Sequence, residues 1–177
     1  MIFTADIREE HPLAGSTSTV SNRLVLNTYR LLGLLEEYQV KGTFFIQGLA
    51  GQQYNHLIRA IADQGHELAC HSYSLRPLES LSEALFRAEL RCSKRTVEDV
   101  SGKPVLGFRA PAPLQANVVK WYSKALKDHG IRYDSSTLVR AKGLTPVTIV
   151  QALTEQIRTH TLDCYPTMVN IVRSAQA

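Results

Sequence analysis

The sequence predicts an α/β fold built on a parallel sheet, and three observations predict it. Short β-favouring runs alternate with longer stretches whose apolar residues recur at helical spacing. Gly65, Gly102 and Gly130 each end a helical stretch just ahead of the next run, where a left-handed residue stops a helix. The first, third, fourth and fifth runs close on Asp6, His71, Arg109 and Asp134. Strand–helix alternation of this kind implies parallel strands in one sheet.

Taken in order, Ile2-Phe3-Thr4-Ala5-Asp6 reads as a short strand ending in a carboxylate. A polar loop with Pro12 and Gly15 follows. Ser21 is a plausible N-cap for a helix whose stripe is Val25, Tyr29, Leu32 and Leu35, ending near Tyr38. Gly42-Thr43-Phe44-Phe45-Ile46 has the unbroken β-favouring character of a strand buried on both faces. A second helix turns Leu57, Ile58, Ile61 and Ala62 inward and stops at Gly65, and Glu67-Leu68-Ala69-Cys70 leads to His71.

Ser80 and Glu83 have capping-box spacing, and Leu81, Leu85, Ala88 and Cys92 give a third helix its stripe. Gly102 and Pro104 end it, and Val105-Leu106-Gly107-Phe108 forms the fourth strand, running into Arg109-Ala110-Pro111. The fourth helix points Val118, Trp121, Ala125 and Leu126 inward, and Ile131-Arg132-Tyr133 leads to Asp134. Beyond Arg140 the periodicity weakens: Thr145-Pro146 opens a helix with Val150, Leu153 and Ile157 inward, and Met168 to Val172 fits a strand or a helix.

At 177 residues, 44% hydrophobic and 20% charged, the chain is long enough to enclose one core, and we expect a single domain over 1–177. No apolar stretch approaches the ~18 residues of a membrane span, and no signal peptide precedes Ile2, which implies a cytoplasmic location. The three cysteines, Cys70, Cys92 and Cys164, show no C-x-x-C spacing, which fits a reducing compartment and makes Cys70 a small core residue. The net charge of +4 is scattered, with no aromatic-interleaved basic stripe, so nucleic acid is not an expected partner.

In a parallel sheet the carboxyl ends of the strands share one rim, where ligands and catalytic groups gather. Asp6, His71, Arg109 and Asp134 therefore converge from distant parts of the chain. Such a convergence offers a base, a ligand-type imidazole and a guanidinium in one place. Tyr73, in the loop after His71, places an aromatic ring beside this rim, whereas Trp121 on its helical stripe reads as core.

Five segments in order, Phe3-Thr4-Ala5-Asp6, Gly42-Thr43-Phe44-Phe45, Gly65-His66-Glu67-Leu68-Ala69-Cys70-His71-Ser72-Tyr73-Ser74, Gly107-Phe108-Arg109-Ala110-Pro111 and Gly130-Ile131-Arg132-Tyr133-Asp134-Ser135-Ser136, resemble the polysaccharide deacetylases of the NodB-homology group, carbohydrate esterase family four. The resemblance covers residues 1–140 and leaves 141–177 unmatched; the family's late Leu-x-His motif is absent, and His160 stands in a different setting. It implies a distorted (β/α) barrel of about five to seven parallel strands, incomplete at the C-terminus where residues 141–177 do not supply the expected closing strands. It also implies hydrolysis of N-acetyl groups on the amino sugars of a glycan, using a divalent metal such as zinc or cobalt to polarise the amide and activate water. By position, the resemblance makes Asp6 the catalytic base, Arg109 the arginine that orients it, and His71 a metal ligand. Phe108 and Pro111 belong to the groove wall that, with Tyr73, contacts the substrate.

The departures fall on the metal. The second metal histidine is expected four residues after His71, where Leu75 stands, and the metal carboxylate two residues after Asp6, where Arg8 stands. Glu9, with Glu10 and His11 beside it, is the candidate substitute ligand. Three readings follow: a deacetylase with weak or lost activity, a non-catalytic glycan- or protein-binding relative, or a truncated deacetylase gene product.

Overall fold

The computed structural model describes residues 2–9, 19–112, 121–136 and 170–172. Five parallel strands, β1 (Ile2–Ile7), β2 (Gly42–Ile46), β3 (Glu67–Cys70), β4 (Gly107–Phe108) and β5 (Tyr133–Asp134), lie side by side in sequence order. A sixth, β6 (Asn170–Val172), pairs antiparallel with β1, giving the order β5-β4-β3-β2-β1-β6. Among the described residues the sheet is open, so the parallel α/β architecture holds while closure into a barrel is not seen. The ambiguous segment near residue 170 is a strand.

Helices α1 (Thr19–Glu37), α2 (Gly48–Gln53), α3 (Asn55–Asp63), α4 (Glu83–Ser101) and α5 (Tyr122–Asp128) connect the strands. Alternate strand residues point to opposite faces. Phe3, Ala5, Ile7, Phe44, Ile46, Leu68, Cys70 and Phe108 pack with Leu32 and Leu35 of α1, Ile58 and Ile61 of α3, Phe86, Leu90 and Val97 of α4, and Ala125 of α5 in one core. The intervening positions, Thr4, Asp6, Thr43, Glu67, His71 and Arg109, are left for the other face, which carries the polar chemistry.

Several element boundaries differ from expectation. Helix α1 starts at Thr19 rather than after Ser21, and its buried row is Thr28, Leu31, Leu32 and Leu35. Tyr29 is 45% exposed and stacks on His56 at the surface instead. Helix α2 was not expected because two glycines in six residues give little helical signal. Gly48 is needed there, because a Cβ would come within 2.3 Å of the Tyr73 ring.

In α4 the cap is Ser82, whose hydroxyl accepts from the Leu85 N–H at 3.3 Å, while Ser80 ends a 3₁₀ turn, Leu78–Ser80. The buried row is Phe86, Leu90, Ser93 and Val97, and Leu85 and Cys92 face solvent. Two rows of helical spacing compete in this sequence. The row containing Phe86 wins because the ring packs on Phe108, Trp121 and Tyr122 at centroid distances of 5.4–5.7 Å. Strands β4 and β5 are shorter than the runs that predicted them. The three expected helix stops do adopt positive φ, between +64° and +78°. Val118, the Thr145–Ile157 segment, Glu10, His11 and His160 lie outside the described residues.

Candidate functional site at the carboxyl rim

Asp6 points from β1 to the polar face and is 3% exposed. Arg109, one residue past β4, donates from Nη1 to Asp6 Oδ1 at 2.6 Å. Its Nη2 donates to Thr4 Oγ1 at 3.1 Å and to Ser135 Oγ at 2.9 Å. The guanidinium carbon lies 3.9 Å from the centroid of the Phe45 ring. Each of these contacts exploits the planar fork and delocalised charge of arginine, which a lysine lacks.

His71 follows β3 directly and is 1% exposed. Its Nδ1 is 3.1 Å from the carbonyl oxygen of Arg109. A carbonyl only accepts, so Nδ1 carries the proton and Nε2 keeps its lone pair. Among the described residues that buried Nε2 has no hydrogen-bond partner. Burial holds the imidazole pKa below its ordinary value; the Asp6 charge and the hydrogen bond to the Arg109 carbonyl oppose this, while the charges of Arg8 and Arg109 add to it. The resting ring is thus neutral.

The loop after His71 is clamped from α4. The Glu89 carboxylate accepts from Ser74 Oγ at 2.7 Å, from Ser74 N–H at 3.3 Å and from Ser72 Oγ at 3.4 Å. Ser93 Oγ donates to the Ser72 carbonyl at 3.1 Å. The clamp fixes a backbone in which Ser72 and Leu75 both take left-handed φ, +57° and +59°. The sequence reading passed over Glu89. Its signal was the spacing from Phe86 and to Ser93, which places a carboxylate on the buried row of a helix.

On the opposite side, the Ala110 N–H donates to Ser136 Oγ at 2.8 Å. The Ser136 hydroxyl donates to Asp134 Oδ1, and Tyr122 OH donates to Asp134 Oδ2 at 2.9 Å. Asp134 thus braces the loop that bears Arg109.

The remaining candidates are dispersed. Glu9 donates its N–H to Gln47 Oε1 at 2.8 Å, and its carboxylate accepts from Tyr54 OH. Tyr73 is half-buried, lies against Gly48 and donates to Gln52 Oε1 at 3.0 Å. Pro111 is half-buried beside the rim. Phe108 corrects the expectation of a substrate-contacting wall. It points to the helix side, is 1% exposed and is enclosed by Phe86 and Tyr122, so it is core.

A family model for polysaccharide deacetylase matches residues 19–133. The chain belongs to the polysaccharide deacetylase family. It is 28% identical over 109 residues to the peptidoglycan deacetylase of Helicobacter pylori, covering 62% of this chain and 36% of that protein. Among solved structures, a Mycobacterium smegmatis protein assigned as a polysaccharide deacetylase is similar at TM-score 0.63 and 32% identity, over 76% of this chain and 50% of that one. A mutant of a Bacillus anthracis pseudoenzyme of carbohydrate esterase family 4, with restored enzymatic activity, is similar at TM-score 0.55 and 25% identity, over 60% of this chain and 38% of that one. The chain spans about a third to half the length of these relatives.

Members of this deacetylase family are in general metal-dependent. The donor set described here does not fit that metal. Among the described residues no group of three or more His, Cys, Asp or Glu side chains is arranged to hold an ion. His71 Nε2 is a proper donor, but the two positions where the family resemblance expects further ligands hold Leu75, which has no lone pair, and Arg8, a fixed cation. Asp6 is committed to Arg109 and Glu9 to Tyr54.

Proposed function

We propose that this deacetylase-family chain holds an N-acetylated glycan of the peptidoglycan type at the rim formed by Asp6, His71 and Arg109, with metal-dependent deacetylation weak or lost. The observation that carries this reading is the ligand set around His71. His71 offers one unpartnered ring nitrogen among the described residues, and the two positions where the resemblance expects further metal ligands are Leu75 and Arg8. The substrate class is supported by the family and by the peptidoglycan deacetylase relative.

The polar rim remains suited to an acetamido group. His71 Nε2 can accept from its N–H, and Arg8, half-buried at the end of β1, brings a positive charge towards its carbonyl. Such contacts bind and orient the amide. They do not generate a nucleophile, because the water-activating cation lacks its ligands. The retained Asp6–Arg109 pair orders the rim without supplying the missing cation ligands, and one experiment separates weak from lost activity.

That experiment is acetate release from N-acetylglucosamine oligomers with and without excess zinc or cobalt, run beside calorimetric titration of the same oligomers. Saturable binding is expected, weaker for the fully deacetylated oligomer, with acetate release near the no-protein rate. Stoichiometric retention of metal through dialysis together with rapid acetate release would overturn the proposal.

A further inference from the structure

His71, the Arg109–Ala110 peptide, Ser136 and Asp134 form one hydrogen-bonded chain. Its two ends meet on a single peptide plane. The carbonyl of Arg109 accepts from His71 Nδ1 at 3.1 Å, and the N–H of the same peptide group, belonging to Ala110, donates to Ser136 Oγ at 2.8 Å. Ser136 is 4% exposed, and its hydroxyl and backbone N–H both donate to Asp134 Oδ1, the latter at 3.0 Å. Because the hydroxyl proton is directed to the carboxylate, the lone pairs of Ser136 Oγ are left to receive the Ala110 N–H.

We propose that Ser136, oriented by Asp134, is a positioning residue that fixes the Arg109–Ala110 peptide and thereby holds His71 as the Nδ1–H tautomer, with Nε2 as an acceptor towards a bound ligand. The physical case is one of geometry first. The Arg109 N–H is already tied to the Cys70 carbonyl at 2.9 Å, which anchors the residue but leaves the following peptide plane free to rotate. The bond to Ser136 removes that freedom and aims the Arg109 carbonyl at the imidazole. If the plane turned, a buried N–H would face Nδ1 or lose its acceptor, and the imidazole would be driven to the other tautomer. A chain of aligned hydrogen bonds also strengthens each member modestly. Asp134 is itself exposed, so its charge is largely screened and it acts chiefly by orienting the hydroxyl.

This device deepens the proposed reading, since it sets which side of His71 can accept an acetamido N–H. It concerns Ser136 and Asp134, which touch no ligand themselves. The test needs no glycan and no metal. Long-range proton–nitrogen NMR spectra of the free protein, recorded about two pH units above the ordinary histidine value of ~6.5, report which ring nitrogen is protonated.

The native spectrum should show His71 as Nδ1–H alone. Ser136→Ala should convert it to a mixture with a clear Nε2–H component, and Ser136→Thr, which keeps the hydroxyl, should restore the native pattern. Asp134→Asn, isosteric and milder, should give a smaller Nε2–H fraction and serves as the second variant if Ser136→Ala does not fold. A pure Nδ1–H pattern in folded Ser136→Ala, or in Asp134→Asn where it is the variant available, would overturn the proposal, because packing alone would then orient the ring. That result would leave glycan binding unaffected. Failure of glycan binding with a Ser136-dependent tautomer would overturn only the functional reading.

Discussion

Arg109 reaches Asp6 across two intervening strands. The order β4-β3-β2-β1 separates their strands by three spacings of ~4.8 Å, yet Nη1 and Oδ1 meet at 2.6 Å with both residues buried. Both side chains lie on the polar face of the sheet, and the long guanidinium arm crosses β3 and β2 over that face. Phe45, on the strand beside β1, supplies the surface over which the guanidinium crosses.

Removing one partner of this pair leaves a charge stranded. Arg109→Ala should therefore cost about 3–5 kcal/mol of stability. Arg109→Lys should also be destabilised, though less, because an ammonium cannot serve Asp6, Thr4 and Ser135 together. Urea unfolding of both variants is the check. A cost below ~1 kcal/mol for Arg109→Ala, typical of an exposed pair, would show that water reaches Asp6.

The metal deficit can be tested by repair. The native chain should bind zinc weakly, and the paired change Arg8→Asp with Leu75→His should tighten binding by two to three decades, about 3–4 kcal/mol. Each single change should do much less, because a cation or a missing ligand persists. Leu75→His suits its backbone, since φ is +59° there and histidine tolerates the left-handed region better than leucine. Calorimetry on the four proteins decides; tight stoichiometric binding by the native chain would refute the deficit.

Glu89 should matter to the loop more than to the helix that carries it. Glu89→Ala strips the acceptor from Ser72 and Ser74 and should cost about 1–3 kcal/mol, with faster amide exchange at residues 72–75 than elsewhere. Hydrogen-exchange mass spectrometry reads this directly. Uniform acceleration across α4 would instead mean that the helix itself had loosened.

His66 gives the protein an acid-sensitive base to the sheet. Its Nδ1 accepts from the Gly42 N–H at 3.2 Å, and its ring lies against Phe44 at 5.0 Å. Burial, with Lys41 and Lys103 nearby, lowers its pKa to about 4. Above the ordinary ~6.5 both folded and unfolded chains hold it neutral. Between that value and about 4 the unfolded chain binds a proton that the folded one refuses. Stability should therefore fall with falling pH across this window, by up to ~1.4 kcal/mol per unit. His66→Gln, whose amide oxygen can still accept from Gly42, should flatten that part of the profile in urea unfolding across pH. An unchanged slope would assign the acid loss to carboxylates.

The sequence by itself determined the parallel α/β order and the residues at its rim. Period-two and helical patterns, together with glycines that adopt positive φ without strain, are local signals, and they put Asp6, His71, Arg109 and Asp134 at strand ends. Local signals could not rank two helical rows in α4, nor reveal α2, because burial is settled by what packs opposite: Phe86 against Phe108, and Tyr73 against Gly48. For the same reason Phe108 reads as groove wall in a motif but lies in the core once the sheet has faces. The reach of Arg109 to Asp6, the Glu89 clamp on Ser74 and the Ser136 bond to Ala110 join residues 103, 15 and 26 positions apart. Only the tertiary structure decided those, since a hydrogen bond depends on distance and angle in space, and separation along the chain carries neither.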